Sequence, residues 1–155
     1  MKHNILIPLL LMVIVFCIMP SCQEKNNDEK EFISAAITNQ GITLNDYKYV
    51  IIIPGIGCHG CIQESEYFLK QNINNKNILF IISNPQSLKI LQNKIKVKLN
   101  DYDNVIVDRQ STYQLPTNNA IYPCVLYLDE TNHDIKDIDF QSPKNGALNK
   151  LNKLL

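Results

Sequence analysis

Two stretches of the chain, Val50-Ile51-Ile52-Ile53 and Ile78-Leu79-Phe80-Ile81-Ile82, run without a polar residue and stop at turn chemistry, Pro54-Gly55 and Ser83-Asn84-Pro85. Unbroken β-branched and apolar runs of this length predict strands buried on both faces, as parallel strands are. Between them, Cys61, Ile62, Ser65, Phe68, Leu69 and Ile73 recur every three or four residues while Gln63, Glu64, Glu66 and Lys70 fill the other face, which predicts an amphipathic helix from Cys58 to Ile73. Phe32, Ile33, Ala36 and Ile37 show the same spacing within Glu29 to Gln40, with Gly41 placed to end that helix.

Downstream, Ser83-Asn84-Pro85 reads as cap residues followed by a first-turn proline, launching a helix with Leu88, Leu91 and Ile95 on one face. Val105-Ile106-Val107 is a third short strand closed by Asp108, and Arg109 to Asn119 reads as a polar loop. Pro123–Leu128 and Ile135–Phe140 are strands joined by the turn Asp129-Glu130-Thr131-Asn132. Ser142-Pro143 is expected to start a last helix with Ala147, Leu148, Leu151 and Leu155 inward. The order strand, helix, strand, helix, strand, loop, hairpin, helix predicts an α/β fold, a mixed sheet covered by helices on both faces with an antiparallel hairpin at one edge.

The first thirty residues follow another pattern. Ile5 to Met19 is almost wholly apolar behind Lys2 and His3, about 15 residues where a spanning helix needs roughly 20, and Pro20-Ser21-Cys22 closes it. We read 1–21 as a cleaved export signal. The small residue and Cys at its end resemble the lipobox of bacterial lipoproteins, which implies acylation of Cys22, although Pro20 departs from the usual small residue. Gln23 to Lys30 has no apolar residue, so 22–31 is assigned as a solvated tether and 32–155 as the folded domain. The expected location is the bacterial cell envelope, lipid-anchored, with the domain facing the periplasm or exterior, where thiols meet oxidising conditions.

Composition adds two constraints. At 155 residues and 45% hydrophobic, the chain has the size of one domain with one core. Its 15 basic and 15 acidic residues cancel, so no broad field points to nucleic acid as a partner, and recognition must come from a local site.

The candidate site is Gly57-Cys58-His59-Gly60-Cys61, directly after the first buried strand and at the start of the first amphipathic helix. Unpaired backbone N–H groups and the positive end of the helix dipole favour a thiolate at Cys58. Cys61, one turn on and facing inward, is placed to resolve a mixed disulfide formed by Cys58. His59, when protonated, would stabilise the Cys58 thiolate, so it is a candidate modulator; a solvent-facing imidazole without a role is the competing reading. Zinc is disfavoured because only Cys124 and His133, from distant segments, could join the pair. Haem attachment is disfavoured because Ile62, not His, follows Cys61. No threonine precedes Cys58 where a peroxidatic cysteine of this kind has one, the position being Gly55.

With that motif at that junction, and Tyr122-Pro123 heading the next-to-last strand, the chain from about Tyr49 to Leu155 resembles the thioredoxin superfamily. The anchor and the extra strand before the hairpin are similar to its membrane-anchored TlpA-like branch. The resemblance implies a thioredoxin-like fold and a redox-active Cys58–Cys61 disulfide, with no metal or other cofactor. It further implies a cis-proline at Pro123 that joins Tyr122 in binding substrate backbone. Expected partners are thiols or disulfides of exported proteins and a membrane electron donor. The pattern is incomplete: Gly57 stands where the family has Trp, His59-Gly60 replaces Gly-Pro, and Val50 to Ile53 holds no buried acid. Cys124, inside an apolar run, is expected to be a small core residue. A permanent structural disulfide in a binding or assembly module is the alternative from another functional class.

Overall fold

The computed structural model describes residues 26–155. The export segment 1–21 and Cys22 lie outside the described residues. Among the described residues nine regular elements follow in order: α1 (Asn27–Asn39), β1 (Tyr49–Pro54), α2 (His59–Asn72), β2 (Ile78–Ser83), α3 (Leu88–Ile95), β3 (Val105–Asp108), β4 (Cys124–Leu128), β5 (Ile135–Phe140) and α4 (Ala147–Asn152). Short 3-10 turns sit at Leu99–Asp101 and Asn118–Ile121.

The five strands form one sheet in the order β3-β2-β1-β4-β5. β1 pairs parallel with β2 (Ile51 opposite Phe80) and β2 parallel with β3 (Ile81 opposite Ile106). β4 pairs antiparallel with β1 (Ile52 opposite Cys124) and with β5 (Leu126 opposite Ile138). Mixed pairing and the antiparallel hairpin are therefore as the pattern predicts. β1 and β2 need apolar residues at every position because successive side chains enter different cores. Ile51, Ile53, Phe80 and Ile82 pack with Phe68 and Leu69 of α2, Leu91 and Ile95 of α3, and Leu148 and Leu151 of α4. Val50, Ile52, Leu79 and Ile81 pack on the opposite face with Ile33 and Ile37 of α1 and with Tyr113 and Leu115.

Helix starts differ most from expectation. α1 starts at Asn27, two residues before the expected Glu29, and so takes in the last residues of the stretch assigned to the tether; Glu29 shares the inward face of Ile33, Ala36 and Ile37 and is itself buried. α3 starts at Leu88 instead of Pro85: Ser87 is its N-cap, accepting from the Ile90 N–H at 3.3 Å, while Asn84 turns the chain at φ 48°. α4 starts at Ala147, since Ser142 and Asn145 bond to each other through both backbone groups, enclosing Pro143 in a tight turn. Leu155 lies beyond this short helix and is 48% exposed. Among the described residues no helix is long and apolar enough to cross a membrane.

Candidate functional site

β1 ends at Pro54, and four residues later Cys58 is the N-cap of α2, with extended backbone (φ −63°, ψ 100°) and its carbonyl accepting the Ile62 N–H at 2.9 Å. Cys58 and Cys61 are joined by a disulfide, their Cα atoms 5.3 Å apart. The two sulfurs occupy unlike surroundings. Cys58 is half-exposed, whereas Cys61 is buried, its carbonyl accepting the Ser65 hydroxyl at 2.9 Å. The sulfur at the helix mouth is thus the one a partner can reach, and the inner one is reached only through it.

The opposite wall comes from the segment after β3. The Ile121 carbonyl accepts the Cys58 N–H at 2.9 Å. Gly57 lies so close below it, at φ 154°, that a Cβ there would stand 2.1 Å from the Ile121 oxygen. At this approach only glycine fits before the first cysteine. One expectation is corrected here. Among the described residues no peptide bond is cis, so Tyr122–Pro123 is trans. Pro123 is buried and uses its carbonyl to accept the Gln141 N–H at 2.8 Å, while Tyr122 is half-buried and packs toward the α1 side of the sheet. Pro123 serves as the entry to β4 and to its pairing with β5, and the backbone group that meets the cysteines belongs to Ile121.

Two buried carboxylates hold this segment. Asp108, at the end of β3, accepts from the Ser83 hydroxyl (2.9 Å) and from the backbone N–H groups of Gln110 (3.0 Å) and Tyr113 (3.1 Å). Burial pushes its pKa up, but the Tyr113 N–H, the Ser83 hydroxyl and neighbouring N–H groups outweigh burial and hold it below the usual value. Glu29 of α1 accepts from Thr117 Oγ1 (3.0 Å) and Asn119 Nδ2 (2.9 Å). Its pKa is likewise lowered, these bonds prevailing over burial.

The third cysteine is set apart. Cys124 is buried, and burial pushes its thiol up to about 12, with the Glu29 carboxylate adding to the rise and a hydrogen bond with the Ile52 backbone opposing it. It is a core residue with almost no thiolate at neutral pH. His59 is exposed, its Nε2 2.8 Å from Gln63 Nε2 one turn on. His133 lies in the β4–β5 loop, at the opposite end of β4 from Cys124. It is half-buried. Among the described residues no three His, Cys, Asp or Glu side chains gather as a metal-binding group.

Two hollows flank the turn between β1 and α2. A groove of about 360 Å³ opens between α2 and α3, lined by Ile56, His59, Ile62, Ile90 and Leu91, and a smaller cavity of about 100 Å³ lies on the other side against Tyr113 and Cys124. Ile56 and Ile121 are exposed beside Cys58. Sequence reasoning missed Glu29, Asp108 and Ile121. Glu29 carried a signal, since it precedes Ile33 by four residues on the same helical face; the Ile121 carbonyl carried none. No protein-family model matches the chain, and no curated protein or solved structure matches it either.

Proposed function

We propose that this chain is a thiol–disulfide oxidoreductase of the bacterial cell envelope, thioredoxin-like in fold and anchored through acylated Cys22, that exchanges disulfides with exported proteins through Cys58 and Cys61. The observation that carries the reading is the asymmetric pair: a half-exposed cysteine capping α2 at the end of a parallel strand, disulfide-bonded to a buried cysteine one turn further. In the reduced state the Cys58 thiolate attacks one sulfur of a substrate disulfide. That bond breaks, the first substrate sulfur leaves and is protonated, and a mixed disulfide remains. Cys61, losing its proton, attacks Cys58 Sγ, closes the internal disulfide and releases the second substrate thiol. The substrate gains two electrons and two protons.

The direction we favour is reduction. Oxidants are already supplied outside the cytosol, and a tethered domain is well placed to receive electrons from a membrane donor that restores the two thiols. The exposed Ile56 and Ile121 beside Cys58 suit an apolar segment of a partially folded substrate. The test is the reduction potential of the Cys58–Cys61 pair. A value near about −270 mV fits a reductant, and one near about −120 mV overturns the direction in favour of an oxidase. A disulfide that resists mild reductants, with a potential below about −300 mV, overturns exchange and makes the pair a structural bond in a binding module.

A further inference from the structure

Glu29 is the carboxylate that composition assigns to a solvated tether, yet it is only 6% exposed, on the face of α1 that carries Ile33 into the core. Its Oε1 takes hydrogen bonds from two side chains of the segment before β4, Thr117 (3.0 Å) and Asn119 (2.9 Å). Thr117 caps the 3-10 turn Asn118–Ile121, its Oγ1 accepting from the Asn119 N–H at 3.2 Å. The turn is closed by the Ala120 N–H on the Thr117 carbonyl (3.1 Å) and the Tyr122 N–H on the Asn119 carbonyl (2.9 Å). Its last carbonyl, that of Ile121, accepts the Cys58 N–H at 2.9 Å.

This path has little slack. The Ile121 carbonyl lies against Gly57 closely enough to exclude a Cβ, so a shift of the turn must move Gly57 or break the bond to Cys58. The bond fixes the N-cap residue of α2, and N-cap geometry decides whether the Cys58 sulfur, once reduced, sits over the free N–H groups of the first helical turn. A carboxylate accepting two hydrogen bonds is a firm anchor, because charge-assisted bonds are shorter and stronger than neutral ones. Ile33 and Ile37 already fasten α1 to the sheet, so the carboxylate is not needed to dock the helix.

We propose that Glu29 is a positioning residue for the redox pair, acting on Cys58 through Thr117, Asn119 and the Ile121 carbonyl; the proposal rests on the exchange reading given above. It takes α1 beyond the role of a lid on the sheet: the helix nearest the anchored end of the chain sets the reactivity of a thiol borne on another helix.

The experiment is alkylation of the full chain by iodoacetamide as a function of pH, in a Cys61→Ser background and read at the Cys58 peptide by mass spectrometry. The profile reports the Cys58 thiolate whether or not the native disulfide cycles. Failure of the exchange reading, seen as a wild-type disulfide that resists reduction, is therefore distinguishable from failure of this proposal. Glu29→Ala is expected to move the profile to higher pH and slow alkylation at neutral pH roughly threefold, as the thiolate share falls. Glu29→Gln keeps an oxygen able to accept both bonds, though without the charge that strengthens them, and should recover most of the shift. Should Glu29→Ala not fold, the pair Thr117→Val with Asn119→Ala cuts the same path from the other side and should give the same shift. Ile33→Ala loosens α1 without touching the path and should lower the melting temperature while leaving the profile in place. A Glu29→Ala profile superimposed on the parent, or an equal shift in Ile33→Ala, overturns the proposal.

Discussion

The turn from β1 into α2 and the segment from Asp108 to Pro123 meet at one hydrogen bond, between the Cys58 N–H and the Ile121 carbonyl, but they are built in opposite ways. The first is a short connection between two regular elements, held by strand pairing and helix packing, and its outer residues Ile56, Gly57 and His59 are exposed. The second has a single 3-10 turn and is held by two carboxylates, Asp108 at one end accepting from backbone N–H groups and Glu29 reaching in from α1 to the Thr117 and Asn119 side chains. Each leads to a cysteine, and the cysteines differ accordingly. Cys58 caps a helix at the surface, whereas Cys124 begins a strand inside the core, where burial suppresses its thiolate. Thiol chemistry at this end of the sheet is set by the kind of element that presents the sulfur, and the irregular segment supplies the frame.

The sharpest way to break that contrast is to remove one sulfur at a time. Cys61→Ser is expected to accumulate mixed disulfides with partner proteins, visible on non-reducing gels and lost on reduction, because Cys58 still attacks and nothing resolves. Cys58→Ser should trap none, since Cys61 is buried. Exchange activity should fall to background in both. Faster alkylation of Cys61 than of Cys58 in the reduced protein would reverse the two roles.

The frame itself is tested at Asp108. Its folded pKa lies below the ordinary carboxylate value, so the stability it contributes is present in full above the unfolded value near 4 and is lost as pH falls through the folded value. Asp108→Asn puts an amide N–H where a backbone N–H or the Ser83 hydroxyl now donates, and should cost about 1–3 kcal/mol at neutral pH. Urea unfolding between pH 3 and 7 should show wild-type stability falling toward acid and the variant following a flatter curve. Parallel curves would mean that the carboxylate does not anchor the segment through its charge.

The two regions were also unequally legible in the sequence. Unbroken apolar runs located β1 and β2, the three-to-four spacing located α2, and together they put Cys58 and Cys61 at a strand-to-helix junction, since each signal reports burial on a repeating geometry. Helix starts were less legible: Pro85 and Pro143 read as first-turn residues, but Ser87 outcompeted the first as a cap, and the second fell in a turn closed by Ser142 and Asn145. From Arg109 to Asn119 there is no period to read, because its order comes from Asp108 and Glu29, far from it in sequence or outside its pattern. Reading Tyr122-Pro123 as a cis bond likewise transferred a family feature to a segment that brings the Ile121 carbonyl to the cysteines instead.

The smallest effect is expected at His59, the residue nearest the chemistry that neither region restrains from the core. Its ring is exposed and stands 2.8 Å from the Gln63 amide one turn along α2. A charge on such a ring acts on the Cys58 sulfur largely through water, where opposite charges a few ångströms apart interact by about 1 kcal/mol before salt screening and by roughly half that at physiological salt. The backbone N–H groups at the start of α2 have no such disadvantage, because the helix holds them in place. His59→Ala should therefore change the rate of Cys58 alkylation at neutral pH by no more than about twofold, with a difference that shrinks further in high salt. A larger, salt-sensitive loss would make His59 the main source of thiolate stabilisation, and the contrast between the two regions would then rest on a side chain instead of on the helix that carries it.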